Sequence, residues 1–150
     1  YGNSDNYITA DLESPLADLH FDVQQIPLDN GTIEVVICNH LLEHVENDAV
    51  ALKELHRILC HGGWGILLVP EDRSRATTFE DDTITDPEER TRLFGQYDHR
   101  RTYGRDYDLR LEEAGFSVER ISVGSLLTDQ ERQLYATGND DLVVVRKLND

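Results

Sequence analysis

The 150-residue sequence predicts one α/β domain built on a mostly parallel sheet of about six strands. Three observations predict it. Two runs, Ile33 to Cys38 and Trp64 to Val69, are nearly continuous in apolar character, as strands buried on both faces of a parallel sheet are. Between them lies an amphipathic helical pattern, and a strand, helix, strand succession calls for a parallel pair joined by a right-handed crossover. The chain is 39% hydrophobic and 29% charged, which at this length suits a soluble domain with a single core.

The elements follow in order. Tyr7 to Ala10 and Leu19 to Asp22 are short β-branched and aromatic runs separated by the turn signal Ser14-Pro15, and both read as strands. The turn cluster from Pro27 to Gly31 precedes the buried strand at 33–38. Asn47 is placed to cap a helix from about Asp48 to Leu59, where Ala51, Leu52, Leu55, Ile58 and Leu59 recur at helical spacing and Gly62-Gly63 would end it. The strand Trp64 to Val69 is stopped by Pro70. Residues 71–103 are polar and read as irregular, a lid or acceptor-side insertion, because a segment that long in a compact domain is usually functional. A second helix is expected from Gly104 to Ala114 with Gly115 as its cap. Strands at Phe116 to Ile121 and Leu142 to Arg146 complete the set, with a short helix between them at Thr128 to Tyr135.

Charge narrows the possible partners. With 14 basic against 30 acidic residues the net charge is −16, which repels a polyphosphate backbone, so no nucleic acid is expected as partner. The short cluster His99-Arg100-Arg101 with Arg105 is flanked by Asp98 and Asp106 and reads as a solvated loop. No apolar run approaches the roughly 20 residues needed to span a bilayer, and residues 1–6 have no signal-peptide character. A cytoplasmic location without membrane association is the expectation. Cys38 and Cys60 sit in apolar surroundings and are expected as buried, reduced thiols.

The stretch from Phe21 to Val45, containing Asp22, Pro27 and Glu43-His44, is followed by Arg57-Ile-Leu59 and Gly62-Gly63. In that order the motifs resemble the class I S-adenosylmethionine-dependent methyltransferases of small-molecule type. The resemblance runs from about Tyr7 to Arg146 and implies a Rossmann-like sheet. The positive residue expected before the paired glycines is His61 or absent. The segment Phe94 to Tyr107, with Leu111-Glu-Glu-Ala-Gly-Phe116, is similar to a stretch found in a subset of these enzymes.

What the resemblance implies is specific. S-adenosyl-L-methionine would be the cofactor, and a small molecule the methyl acceptor. Asp11 would accept from the ribose hydroxyls with Leu12 against the adenine, Asp22 from the adenine amino group with the Val23 backbone at the ring edge. Asn39 would meet the methionine part, with Leu41 packed beneath it. If the acceptor must lose a proton, His99, His40 and Tyr103 are candidate bases by location. The segment Phe94 to Tyr107 would lie over the acceptor, its Tyr97, His99, Arg100 and Tyr103 favouring a planar or anionic molecule.

The family's first strand and glycine-rich loop have no counterpart before Tyr7, so the resemblance is to an N-terminally truncated domain, strands 2 to 7 of the order 3-2-1-4-5-7-6. Unpaired edges would then be answered by an upstream segment, which is the favoured expectation, by a strand from a second chain in a homodimer, or by direct pairing of Tyr7–Ala10 with Ile33–Cys38. Two rival readings are a catalytically inactive remnant acting as a binding or dimerisation module, and a zinc peptidase. The latter rests on His40-Leu-Leu-Glu-His44, which spells H-x-x-E-H. That motif needs an extended helix, and here it begins two residues after a buried strand, so no metal is expected on His40, Glu43 and His44.

Overall fold

The computed structural model describes residues 7–131 and 141–149. The first apolar runs pair only at their ends: β1 (Ala10–Asp11) lies parallel to β2 (Leu19–His20). Asp18 fixes the pair, its Oδ2 accepting from both the amide and the hydroxyl of Thr9. The central sheet has the order β3 (Ile33–Asn39), β4 (Leu59–Leu68), β8 (Asp141–Arg146), β7 (Ser117–Ser122). As the alternation of strand and helix requires, β3 and β4 are parallel and joined through α1 (Asp48–Ile58). β8 is antiparallel to both its neighbours.

Helix α1 begins where expected, with the Asn47 side chain accepting from the Val50 amide. It ends sooner than Gly62-Gly63. Leu59 turns into extended backbone and opens β4 directly, pairing with Ile33 before the register slips between Ile33 and Val35. Gly62, with φ of 77°, therefore serves a bulge inside the strand. The cation that the helix exit calls for is also not His61: Lys147 Nζ donates to the carbonyls of His56 and Leu59 at 3.0 and 2.8 Å.

Residues 71–103 are not irregular. They contain α2 (Pro87–Phe94) and a two-stranded antiparallel ladder of β5 (Phe79–Glu80) and β6 (Arg101–Thr102). Asp86 caps α2 through the Glu89 amide, Pro87 starts it, and Gly95 ends it in the left-handed region. Helix α3 (Tyr107–Glu113) starts three residues later than expected, and a single turn, α4 (Val123–Leu126), follows β7. The expected helix from Thr128 begins with a reciprocal cap between Thr128 and Glu131; residues 132–140 lie outside the described residues.

The core is formed by Leu52, Leu55, Leu59, Leu67, Tyr103, Tyr107, Leu111 and Val145, with Phe21, Val23 and Leu28 packed against it. Cys38 is buried there, and burial, with the Glu43 charge nearby, pushes its thiol up to about 12. Cys60 is only half-buried, contrary to expectation, because it lies in the β4 bulge. Among the described residues no helix is long and apolar enough to cross a membrane.

The sheet is split. Among the described residues β3 has a partner only in β4, while β1 and β2 pair only with each other, so the direct pairing of Tyr7–Ala10 with β3 does not occur. The consequence shows in the side chains: Ile37 on β3 is 64% exposed, and Val35, Ile8 and Tyr7 are exposed as well.

Candidate functional site

Three parallel strand ends supply the residues singled out in the sequence. Asp11 closes β1, Asp22 follows β2 and Asn39 closes β3. Carboxyl ends of parallel strands are where open α/β sheets bind ligands. Asp11 is exposed and uses Oδ1 to accept from the amides of Glu13 and Ser14, which lowers its pKa; Oδ2 accepts from no described group. Leu12 is exposed beside it. Asp22 is more committed. Its Oδ1 accepts from the Gln24 amide, both oxygens accept from Gln24 Nε2, and Gln24 Oε1 accepts in turn from the Asn47 amide. Val23 is half-buried against the core, and Asn39 and Leu41 are exposed.

The loop that carries Asp22 is locked to α1. The Arg57 guanidinium donates to the carbonyls of Ile26 and Leu28 and to Asn30 Oδ1, while Glu54 accepts from Arg57 and from the Ile26 amide. This gives the Arg57-Ile-Leu59 motif a physical role: it sets the height of the loop between β2 and β3.

Residues 40–46 form turns, with His44 N donating to Leu41 O, and not the helix that an H-x-x-E-H zinc peptidase needs. His40 has a left-handed φ of 53° and is exposed, its Nδ1 3.4 Å from Glu43 Oε1. Segment 99–103 clamps these turns. Arg101, only 2% exposed, donates to the carbonyls of Leu42, Val45 and Glu46 and to Glu80. The Arg100 amide donates to Glu43 O.

This corrects two expectations. The basic cluster is not a solvated loop, since Arg101 and His99 are buried; the carbonyls exposed by the 40–46 turns require an internal donor, and Arg101 supplies it. Tyr103 is not available as a base or an acceptor contact. It is fully buried, donates to Asp48 Oδ2 at 3.0 Å, and its pKa is raised by burial and then by Asp48. Tyr97 is exposed, and Arg100 faces Asp82 at 3.9 Å. His99 is buried with Nδ1 3.0 Å from Phe94 O, so of the three candidate bases only His40 is open to solvent.

A second, partly buried set of ion pairs has no signal in the sequence. Asp48 also accepts from Arg110, Glu80 bridges Arg110 and Arg101, and Arg120 forms paired contacts with both Asp108 and Glu71. Arginines in a polar stretch look the same in sequence whether solvated or buried.

Residues 3–67 match the family model described as "Methyltransferase domain". No curated protein matches the sequence. Among solved structures, a candidate methyltransferase of Bacillus halodurans is similar with a TM-score of 0.62 and 20% identity, covering 95% of this chain and 81% of that one. An S-adenosylmethionine-dependent methyltransferase from Mesorhizobium loti has a TM-score of 0.51 and 14% identity over 91% of this chain and 78% of its own. The [4+2]-cyclase SpnF is similar at a TM-score of 0.53 and 13% identity, covering 88% of this chain and 57% of that one. At these identities the likeness is one of fold.

Proposed function

We propose that the protein transfers a methyl group from S-adenosyl-L-methionine to a small-molecule acceptor, because residues 3–67 match the family model described as "Methyltransferase domain" and the fold is similar to that of a candidate methyltransferase. One observation supports this reading. The family match spans β1, β2 and β3, and Asp11 and Asn39 are the last residues of β1 and β3, with Asp22 two residues after β2. The fold alone does not select the reaction, as its sharing with a cyclase illustrates.

The residues fit the cofactor unevenly. The unengaged Oδ2 of Asp11 would accept from the ribose hydroxyls, with Leu12 lying against the adenine. Asp22 Oδ2 accepts one hydrogen bond, from Gln24 Nε2, and its second lone pair would accept from the adenine amino group. The Val23 backbone would meet the ring edge, and Asn39 and Leu41 would flank the methionine portion. The family's first strand would pair along the free edges of β1 and β3 and cover Ile37. The cofactor supplies a methyl on a positively charged sulfur, open to direct displacement by an acceptor atom held in line. His40, exposed at the end of β3, would take the acceptor's proton where one must leave.

Calorimetry with S-adenosylhomocysteine on the full-length protein tests the assignment. The expected result is binding that weakens about 5- to 150-fold in Asp11→Ala, as loss of one partner of a hydrogen bond that the ligand buries would produce. Unchanged affinity in both Asp11→Ala and Asp22→Ala overturns the site. No binding at all by the folded wild type favours the binding-module reading.

A further inference from the structure

We propose that Glu43, His44 and His99 form a binding site for a divalent transition metal ion of the zinc type, whatever reaction the domain performs. One donor atom from each lies within 4.8 Å of the other two. Glu43 is 1% exposed, and its Oε2 has no hydrogen-bond partner among the described residues. A buried carboxylate oxygen left without a partner is costly, and a cation is the partner such an atom calls for.

The partners of both Nδ1 atoms favour the tautomer that a metal needs. The Phe94 carbonyl can only accept, so His99 Nδ1 at 3.0 Å must be the protonated nitrogen, which leaves the Nε2 lone pair free. His44 Nδ1 lies 3.2 Å from Asp98 Oδ2, and the carboxylate favours the same tautomer. A carbonyl or carboxylate behind each imidazole is how metal-binding histidines are ordinarily held. Asp98 is itself braced, accepting from Gln96 Nε2 at 2.8 Å. The rings meet edge to face with centroids 4.8 Å apart.

Two imidazoles and one carboxylate, with a fourth position left for water, are a donor set that zinc accepts. Charge also balances, because Glu43 and Asp98 together neutralise a divalent ion. Donors about 2.1 Å from a tetrahedral ion stand roughly 3.4 Å apart, so the widest pair must close by about 1.4 Å. That movement falls to His44, whose side chain is 28% exposed. The site uses two members of the H-x-x-E-H motif, but the partner is His99 and not His40. A set containing His40 would need a helix, whereas His99 reaches the turn from a separate segment.

The test is titration of the metal-free, full-length protein with Co2+, read by its visible ligand-field absorption, followed by displacement with Zn2+. One equivalent should bind with bands of a four- or five-coordinate ion. His99→Ala and His44→Gln should abolish them, and Asp98→Asn should weaken binding 10- to 100-fold. His40→Ala should leave the titration unchanged. Far-UV circular dichroism monitors folding; should His99→Ala fail to fold, the half-exposed His44→Gln carries the localisation. Absence of stoichiometric uptake by the folded wild type overturns the proposal, as does binding that survives His99→Ala and His44→Gln or is lost in His40→Ala.

Discussion

The polar residues of the proposed cofactor edge and those around the 40–46 turns are bonded on different scales. Asp11 and Asp22 accept from groups two or three residues away, in exposed loops. Arg101 and Tyr103 bond across 55 to 61 residues and are buried. A locally capped, exposed carboxylate can be removed without disturbing the core, so its chemistry is at the disposal of a ligand. A buried donor that answers three carbonyls belongs to the fold. The difference separates residues whose loss should be read in binding from those whose loss should be read in stability.

The sharpest way to break this comparison is Arg101→Ala. Three turn carbonyls lose their donor while Glu80 keeps Arg110, and denaturant unfolding should show a loss of at least about 3 kcal/mol, at about 1–3 kcal/mol for each carbonyl left unsatisfied. A loss under about 1 kcal/mol would mean that water answers those carbonyls equally well. Tyr103→Phe should cost about 1–3 kcal/mol by the same measurement, through Asp48, and leave the affinity for S-adenosylhomocysteine unchanged. A selective loss of affinity would return Tyr103 to the acceptor site.

Acid titration sharpens the same contrast at lower amplitude. Burial alone would raise the pKa of Glu80, but its hydrogen bonds to Arg110 and Arg101 outweigh that and lower it below the ordinary 4.5. A carboxylate with a depressed folded-state pKa contributes stability above its unfolded value and loses that contribution as pH falls through the folded value. The melting-temperature gap between wild type and Glu80→Gln should therefore be constant near neutrality and close below about pH 4.5. A gap that persists in acid would assign the effect to packing. Smallest of all in stability is Asp11→Ala, which should leave the melting temperature near that of wild type while ligand affinity falls.

Much of the sheet was legible because apolar periodicity survives any environment. The β3, α1, β4 succession and the late strands followed from it, and the Asn47 cap followed from residue type. The β5, α2, β6 region did not, since its short strands are polar and are held by Arg101 and by Asp106, which accepts from Thr78. Its start and stop signals, Asp86-Pro87 and Gly95, were nevertheless present in the sequence. The early start of β4 depends on a register shift opposite Ile33, which no local pattern encodes. For the site, strand-end residues could be located by order alone. Whether Tyr103 faces a ligand or the core, and that His99 approaches His44, depend on how segment 94–107 folds back on the 40–46 turns.

The position of β8 bears on how the chain assembles during synthesis. It lies between β4 and β7, although both are translated before it, and Lys147, directly after it, answers the carbonyls at the end of α1. Until the ribosome has released residues 141–147, β7 lacks its partner and α1 lacks its terminal cation. The earlier segments must then wait with apolar strands open, in the state in which nascent chains are most exposed to aggregation. The four-stranded sheet is completed only once β8 has followed β3, β4 and β7 out of the ribosome, so the long-range pairing of β8 is the step on which folding should depend.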